Sequence, residues 1–370
     1  SMARKPSNLA DSGRSAGSDK GRRYLSPDEV VTTDEAAAAT PAADASNGQV
    51  IAASPTGEMV HEEMARVARN GRYTIQDMLA RGAESVLYRA SGGHVTFCVK
   101  AIRNVLGMAI GSASTRSHDG KLDVSYRSKV RHLRNEFQVG QALLSAGDIP
   151  VVRIYALRKV RRFGVEMGYD LLMEHLEGAD MGDRHLARSL SVVDKIGIFH
   201  QTVRALDYMH QHCYIHLDTK PSNIMVTHGR ARLIDFGVSV SLGHRPRAVT
   251  GTAGYLSPEQ IVRDYLNEAT DIFALGVTFA VIFGGKPMRQ SPADLKSRQF
   301  RSEARYHLES VEHPSMTDIP ELQEFPEIAH VISQCTVPRR DKRIPNTSQL
   351  ITRLERAAAE YGIRLPLPHT

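Results

Sequence analysis

Four polar side chains in the second half of the chain have the types and spacing of a phosphate-handling site. Asp218, Lys220 and Asn223 lie in one polar loop, and Asp235 follows the apolar pair Leu233-Ile234. Asp218 could orient an attacking hydroxyl, while Lys220 could offset charge on a transferred phosphoryl group. Asn223 and Asp235 offer oxygen ligands of the kind that Mg²⁺ prefers. The chemistry that this set predicts is phosphoryl transfer.

The same residues belong to a series of motifs that resembles protein kinases from about residue 70 to 361. The motifs, in chain order, are Phe97-Cys98-Val99-Lys100, His216-Leu217-Asp218 with Lys220 and Asn223, Asp235-Phe236-Gly237, residues 251–259 (GTAGYLSPE), residues 270–276 (TDIFALG) and Arg343. The resemblance implies an α+β, bilobal fold: a small N-lobe of antiparallel sheet with one helix, and a larger, mainly helical C-lobe. It also implies ATP and Mg²⁺ as cofactors, Asp218 and Lys220 as catalytic residues, and Asn223 and Asp235 as metal ligands.

The resemblance places the nucleotide-binding residues further upstream. Lys100 would grip the α- and β-phosphates. Its carboxylate partner would be Glu136, the only Asp or Glu between residues 124 and 147; the alternative is an exposed helix residue. Glu174 and Leu176 lie in a segment that resembles the linker between the lobes, whose backbone would hydrogen-bond the adenine. Cys98 would be a buried small side chain over the adenine.

Two contacts that stabilise the C-lobe are also implied. Glu259 and Arg343 would form a buried ion pair, which would be costly to break from one side. Asp271, in the 270–276 motif, would brace the catalytic loop, with a helix N-cap role as the alternative.

The phosphate-binding loop departs from the kinase pattern. Kinases place G-x-G-x-x-G between their first two strands so that backbone N–H groups can approach the phosphates. Here Ala80, Gly82 and Ser85 stand at the three glycine positions, and Glu84 adds a negative charge beside them. We expect this lid to hold ATP poorly, and Gly82 to be an ordinary turn residue.

A second departure lies directly before the catalytic Asp. Leu217 stands where many kinases have an Arg that pairs with a phosphate on the activation segment. Activation by phosphorylation of Thr250 or Thr252 is therefore disfavoured.

These departures, together with a basic insertion before the first N-lobe helix, resemble the apicomplexan (Toxoplasma-type) with-no-Gly-loop kinases, relatives of the secreted rhoptry kinases. That narrower resemblance implies secretion from dense granules or rhoptries into the parasitophorous vacuole. Two functions stay open. One is an active Ser/Thr protein kinase acting on protein hydroxyls, favoured by the intact catalytic set. The alternative is a secreted pseudokinase that serves as a binding or scaffold module, favoured by the lid.

Composition and pattern set the domain organisation. The 370 residues are 41% hydrophobic and 24% charged, which is ordinary for a globular protein and excludes collagen-like or wholly disordered chains. Residues 1–60 are rich in small and polar residues, which predicts a disordered tail. The N-lobe is predicted over 61–176, with a basic insertion over 104–127, and the C-lobe over 177–368. Helices are predicted over 60–69 and 128–145. No apolar run reaches the length of a membrane span.

Positive charge is concentrated in the predicted N-lobe. Residues 100–165 carry thirteen Lys and Arg against four Asp and Glu. Such a region suits a phosphate-bearing or acidic partner, although a solvated surface has the same composition. We expect a membrane or an acidic protein there rather than nucleic acid. Protein substrates with Ser or Thr are expected at the catalytic site.

Overall fold

The computed structural model describes residues 30–31, 57–82, 85–104, 124–145, 147–290 and 315–365. An antiparallel sheet dominates the first half of this region, with the spatial order β1-β5-β6-β4-β3-β2. Its strands are β1 (Val30–Val31), β2 (Thr74–Arg81), β3 (Val86–Gly92), β4 (Val95–Arg103), β5 (Ile154–Arg162) and β6 (Val165–Glu174). Two helices pack on this sheet, α1 (Gly57–Asn70) and α2 (Val124–Ala142).

Alternation along β4 decides which face of the sheet carries the chemistry. Successive side chains of a strand point to opposite faces. Phe97, Val99 and Ala101 join the cluster that packs with α1, whereas Cys98 and Ile102 join the cluster that includes residues of α2. Lys100 therefore faces α2. Gly140 lets α2 approach closely, because a Cβ there would lie 2.2 Å from Cγ1 of Ile154.

The helix α2 begins four residues before the predicted start at residue 128 and ends at residue 142. Tyr126, inside the predicted insertion, is buried and its hydroxyl donates to Glu166 Oε1 at 2.7 Å. This tertiary contact anchors the first turn, which the helical spacing of apolar residues did not reveal. Residues 105–123 of the insertion lie outside the described residues.

Helices dominate the second half. They are α3 (Arg184–Ser189), α4 (Val192–Gln211), α5 (Pro258–Val262), α6 (Glu268–Ile282), α7 (Pro326–Cys335) and α8 (Thr347–Ala359). Short strands connect them: β7 (Ala179–Asp180), β8 (Tyr214–Ile215), β9 (Ile224–Thr227), β10 (Arg230–Leu233) and β11 (Val240–Ser241).

A capping box of Ser191 and Asp194 begins α4. Nearly every residue of α6 is buried, and Phe279 of α6 stacks on Phe199 of α4 with ring centroids 4.3 Å apart. The predicted α+β fold with two lobes is confirmed.

The two lobes join through hydrogen bonds and an ion pair behind the site. Val152 N–H donates to the Leu233 carbonyl at 3.0 Å, and Leu233 N–H donates to the Pro150 carbonyl at 3.1 Å. Glu174, the last residue of β6, accepts from Arg232 Nη2 at 2.7 Å and from the Arg153 backbone N–H at 3.1 Å. These contacts fix the sheet relative to the catalytic loop.

The predicted tail, residues 1–60, lies mostly outside the described residues. Within it, Val30–Val31 pairs with β5 at Arg158 and Leu157, and α1 begins at Gly57, before the predicted boundary. The domain boundaries themselves stay predictions. Among the described helices, none is both long and apolar enough to cross a membrane.

Candidate active site

The catalytic loop between β8 and β9 is held by a buried carboxylate on α6. Asp271 accepts from the backbone N–H groups of His216 and Leu217, both at 2.8 Å, and from His210 Nε2 at 2.8 Å. Leu217 has φ 66°, a left-handed conformation that is costly for a branched side chain. The two bonds from Asp271 help to stabilise that conformation. Asn267 occupies the N-cap of α6, so Asp271 is the brace of the loop and not the cap.

His210 adds charge to this brace. Burial disfavours its protonated form, but the hydrogen bond to Asp271 and the nearby carboxylate of Glu268 outweigh burial and raise the pKa of His210 to about 9. A protonated imidazole therefore lies behind the catalytic loop at neutral pH.

Asp218 is surrounded by the polar groups that its predicted role requires. Its Oδ2 accepts from Lys220 Nζ at 2.7 Å and its Oδ1 accepts from the Thr252 hydroxyl at 2.6 Å. Lys220 also donates to Thr252 Oγ1 at 2.7 Å. The Asn223 side-chain amide donates to the Asp218 carbonyl at 2.8 Å, which leaves the Asn223 amide oxygen for another partner. The sequence presented Thr252 only as a candidate phosphosite, and its contact with Asp218 was missed.

A second charged set lies across from Asp218. Lys100 Nζ lies 2.7 Å from Glu136 Oε2 and 3.2 Å from Asp235 Oδ1, so the predicted Lys100–Glu136 pair is present. Burial disfavours the Lys100 ammonium, yet the two carboxylates outweigh it and raise the lysine pKa. Burial also disfavours the charged form of Glu136, which for a carboxyl raises the pKa, here to about 7, although Lys100 opposes that shift. Desolvation alone would raise the pKa of the Asp235 carboxyl, but Lys100 holds that pKa below the usual range.

Asn135, on α2, ties this helix directly to the segment after Asp235. Its side-chain amide nitrogen lies 3.1 Å from the carbonyl oxygens of Phe236 and Gly237, and 2.9 Å from that of Ser239. Asp235 itself has φ 69°, a left-handed conformation that Asp tolerates better than most residues. The amide donors of Asn135 hold the backbone just beyond that turn. Nothing in the spacing of the sequence pointed to Asn135.

A cavity of about 630 Å³ brings six of the eight predicted site residues together. It is lined by Lys100, Glu136, Asp218, Lys220, Asn223 and Asp235. Glu174 and Leu176 do not line it. The Glu174 side chain is bound to Arg153 and Arg232, and Leu176 packs half-buried against the main core. Their predicted role concerns backbone groups and stays a prediction, as do the roles of the other six.

Two further cationic or titratable side chains of α2 line the same cavity, Lys129 and His132. Lys129 is half-buried, whereas Arg127 and Arg131 are exposed and lie outside the lining. Lys129 is therefore the helix cation placed to meet phosphate groups.

The lid segment connects β2 and β3, and its described residues Gly82 and Ser85 line this cavity. Gly82 N–H donates to the Ser85 carbonyl at 2.9 Å. Gly82 lacks a left-handed φ. Among the described residues, a Cβ added to it would meet only the Ser85 carbonyl oxygen at 3.6 Å, an ordinary contact. The position does not need glycine, in keeping with the prediction of a turn residue. Glu84 lies outside the described residues.

The donor set fits a magnesium nucleotide. Asp235, with 43% of its side chain exposed, and the amide oxygen of Asn223 are hard oxygen ligands facing one cavity. The described residues contain no cluster of three or more His, Cys, Asp or Glu that would hold a metal by itself. Mg²⁺ commonly completes its shell with water and substrate phosphates, so two protein ligands suffice. Lys100 and Lys129 line the same cavity and carry the positive charge that bound phosphates would require.

Two lobes that enclose a Lys–Glu–Asp set on one side and an Asp–Lys–Asn set on the other define a protein of the kinase class. The family model described as the protein kinase domain matches residues 114–353. The chain belongs to the protein kinase family.

Curated relatives from several organisms are named as kinases, and several of them as serine/threonine kinases. A protein named as a probable serine/threonine-protein kinase of Streptomyces coelicolor is 25% identical over 77% of this chain and 40% of its own length. The serine/threonine-protein kinase PknB of Mycobacterium leprae is 29% identical over 45% of this chain and 25% of its own length. An Aurora kinase of Eremothecium gossypii is 36% identical over 34% of this chain and 35% of its own length. The chain thus spans less than half the length of each of these relatives.

Proposed function

We propose that this protein is a Ser/Thr protein kinase that transfers the γ-phosphoryl group of ATP to hydroxyl groups of protein substrates. The observation that carries the proposal is the geometry around Asp218. Its carboxylate accepts from a threonine hydroxyl at 2.6 Å and from Lys220 at 2.7 Å, at the edge of a cavity that also contains Asp235 and Lys100. A carboxylate that already binds one aliphatic hydroxyl can bind the acceptor hydroxyl of a substrate in the same way.

Each of the site residues then has a defined task. Asp218 orients the acceptor hydroxyl and takes its proton as the hydroxyl oxygen bonds to the γ-phosphorus of ATP. The bond between that phosphorus and the β–γ bridging oxygen breaks, and ADP leaves. Lys220 lies 2.7 Å from that carboxylate and stabilises the negative charge that develops on the transferred group. Mg²⁺, when bound by Asn223 and Asp235, neutralises phosphate charge. Glu136 orients the Lys100 ammonium toward the phosphates.

The altered lid moves the task of phosphate binding from backbone N–H groups to cations. Lys100, Lys129 and Lys220 line this cavity, and Lys220 is paired with Asp218. Much of the phosphate charge is therefore left to the metal, so the affinity for ATP should depend steeply on Mg²⁺. Calorimetric titration of ATP with and without Mg²⁺ tests this dependence. Equal affinity in both buffers contradicts the cation-dominated site, and absence of binding in both favours the pseudokinase alternative. Asp235→Ala should remove nucleotide binding.

A phosphotransfer assay with matched carboxylate variants tests the catalytic assignment. Asp218→Asn should lower turnover by at least about a thousandfold, because the amide cannot take the proton. Asp341→Asn is the control, since Asp341 is an exposed carboxylate paired with Arg339 at 2.9 Å, far from the site in sequence. The control should retain wild-type turnover. Wild-type turnover by Asp218→Asn would show that Asp218 is not the catalytic carboxylate.

The narrower resemblance to the apicomplexan with-no-Gly-loop kinases, and the secretion that it implies, stay predictions. The relatives reported above are bacterial and fungal and do not bear on that subfamily. Imaging of the tagged full-length protein in its own cell tests secretion. A membrane or acidic partner at the basic N-lobe likewise stays a prediction, testable by sedimentation with anionic vesicles.

A further inference from the structure

A second cavity, of about 640 Å³, begins at the catalytic residues and extends away from the phosphate-binding side. It shares Lys220, Ser222 and Thr252 with the first cavity. Neither Lys100 nor Asp235 lines it. A polypeptide lying in this second cavity would present a hydroxyl to Asp218 from the side opposite the nucleotide phosphates. Phosphoryl transfer requires that separation, because attacking and leaving oxygens are roughly in line.

Part of the wall of this second cavity is apolar. Met181, Ala187, Tyr255, Val281 and Ile282 are among its lining residues. Burying an apolar side chain of the substrate against this surface is favourable, roughly in proportion to the area removed from water. A Lys or Arg head group placed there would lose water without gaining a charged partner.

The charge of the cavity has a single sign. Among the residues that the structure describes, its charged lining residues are Arg184 and Lys220, and no Asp or Glu lines it. Three carboxylates beside the cavity have local partners. Asp218 accepts from Lys220 and Thr252, Asp180 Oδ1 accepts from the Gly182 N–H at 2.8 Å, and Asp183 caps α3. Arg184 is exposed and makes no hydrogen bond or ion pair within the part of the chain that the structure describes. Lys286, next to the lining residue Gly285, adds a further exposed positive charge.

We propose that this cavity is the substrate-recognition site and that it selects acceptor sites flanked by an apolar residue and by Asp or Glu, while it disfavours flanking Lys or Arg. The inference rests on the proposed kinase function and adds its substrate class. Arg184 is the specificity-determining residue at the rim, and Val281 belongs to the apolar wall. Because the charges are partly exposed, each acidic residue should contribute about three- to fivefold to kcat/KM, and the effect should shrink at high salt.

Three peptides test the proposal. They share one Ser acceptor and one neighbouring Leu, and differ only in whether two flanking positions are Glu, Gln or Lys. With wild-type enzyme, kcat/KM should fall in the order Glu, Gln, Lys, with about tenfold or more between the extremes at about 50 mM salt. The ratio should contract at about 500 mM salt.

Variants assign the effect to the cavity. Arg184→Glu should reverse the order of the Glu and Lys peptides. Val281→Glu, which places a carboxylate in the wall, should raise kcat/KM for the Lys peptide relative to the Gln peptide. Arg188→Glu is the matched control, because Arg188 is exposed on the same short helix and does not line the cavity. The control should keep the wild-type ratio between peptides.

The outcomes separate this inference from the proposed function. Turnover of all three peptides at equal kcat/KM would overturn the specificity and leave the kinase function standing. Turnover of none would contradict the kinase function, and fluorescence anisotropy of the labelled peptides then tests the cavity alone. Tighter binding of the Glu peptide supports the site, whereas equal binding or tighter binding of the Lys peptide overturns it.

Discussion

Removing the guanidinium of Arg343 should strongly destabilise the C-lobe. Arg343 is 3% exposed, and all five of its N–H donors have acceptors. Nη1 donates to Glu259 Oε1 and to the Ala269 carbonyl, both at 2.7 Å, and Nη2 donates to Glu259 Oε2 at 3.1 Å and to the Pro338 carbonyl at 3.0 Å. Nε donates to the Val337 carbonyl at 2.8 Å. The predicted ion pair is thus present as a bidentate pair inside a network.

The magnitude follows from what the substitution leaves behind. Arg343→Met roughly keeps the buried volume but strands the Glu259 carboxylate, which is 5% exposed, and three backbone carbonyls. Breaking a buried pair from one side costs about 3–5 kcal/mol. The guanidinium also lies 4.8 Å from the centroid of the Phe273 ring, a contact that adds to the loss. We expect the free energy of unfolding to fall by at least about 3 kcal/mol.

Urea unfolding of four proteins measures this effect: wild type, Arg343→Met, Glu259→Gln, and the double variant. The double variant should lose less than the sum of the single losses, because no unpaired charge remains. Arg339→Met is the control, since the Arg339–Asp341 pair is largely exposed and should contribute under about 1 kcal/mol. A loss below about 1 kcal/mol for Arg343→Met, or strict additivity in the cycle, would refute the reasoning.

Three further predictions concern the catalytic loop, the helix α2 and the nucleotide. His210 has a folded pKa of about 9, above its unfolded value of about 6.5, so its contribution to stability is fully present below about pH 6.5 and is lost as pH rises through 9. The free energy of unfolding of His210→Gln should be lower than that of wild type by up to about 3 kcal/mol near pH 6, and this difference should disappear by about pH 10. A difference independent of pH would contradict the assigned protonation. Asn135→Ala should lower the free energy of unfolding in urea by about 1–2 kcal/mol, and it should lower kcat more than it raises KM for ATP. An unchanged kcat would show that the hydrogen bonds to Phe236 and Gly237 do not position Asp235. Lys129→Met should weaken MgATP binding severalfold in calorimetry without changing the thermal midpoint, with Arg131→Met as the control that should bind like wild type.

The sequence by itself was enough to select the residues that are predicted to carry phosphoryl-transfer chemistry. Asp218, Lys220, Asn223 and Asp235 were identified because the chemistry needs those side-chain types at fixed offsets in one loop and at the end of one strand. The resemblance to protein kinases implied a carboxylate partner for Lys100, and Glu136 is the only carboxylate in that stretch of helix. The same resemblance implied the α+β class and the two lobes, while the apolar spacing predicted helices locally.

Only the tertiary structure decided which partners surround those residues. Thr252 contacts Asp218 across 34 positions, and Asn135 reaches the Phe236 carbonyl across 101 positions. Neither contact leaves a period or a motif in the sequence, because hydrogen bonds between remote segments depend on how helices and loops pack. The start of α2 was also misplaced, because the burial of Tyr126 and its bond to Glu166 hold a turn that local spacing does not specify. The single charge sign of the second cavity arises in the same way: α3, the catalytic loop and the end of α6 bring Arg184, Lys220 and Val281 together from three distant segments.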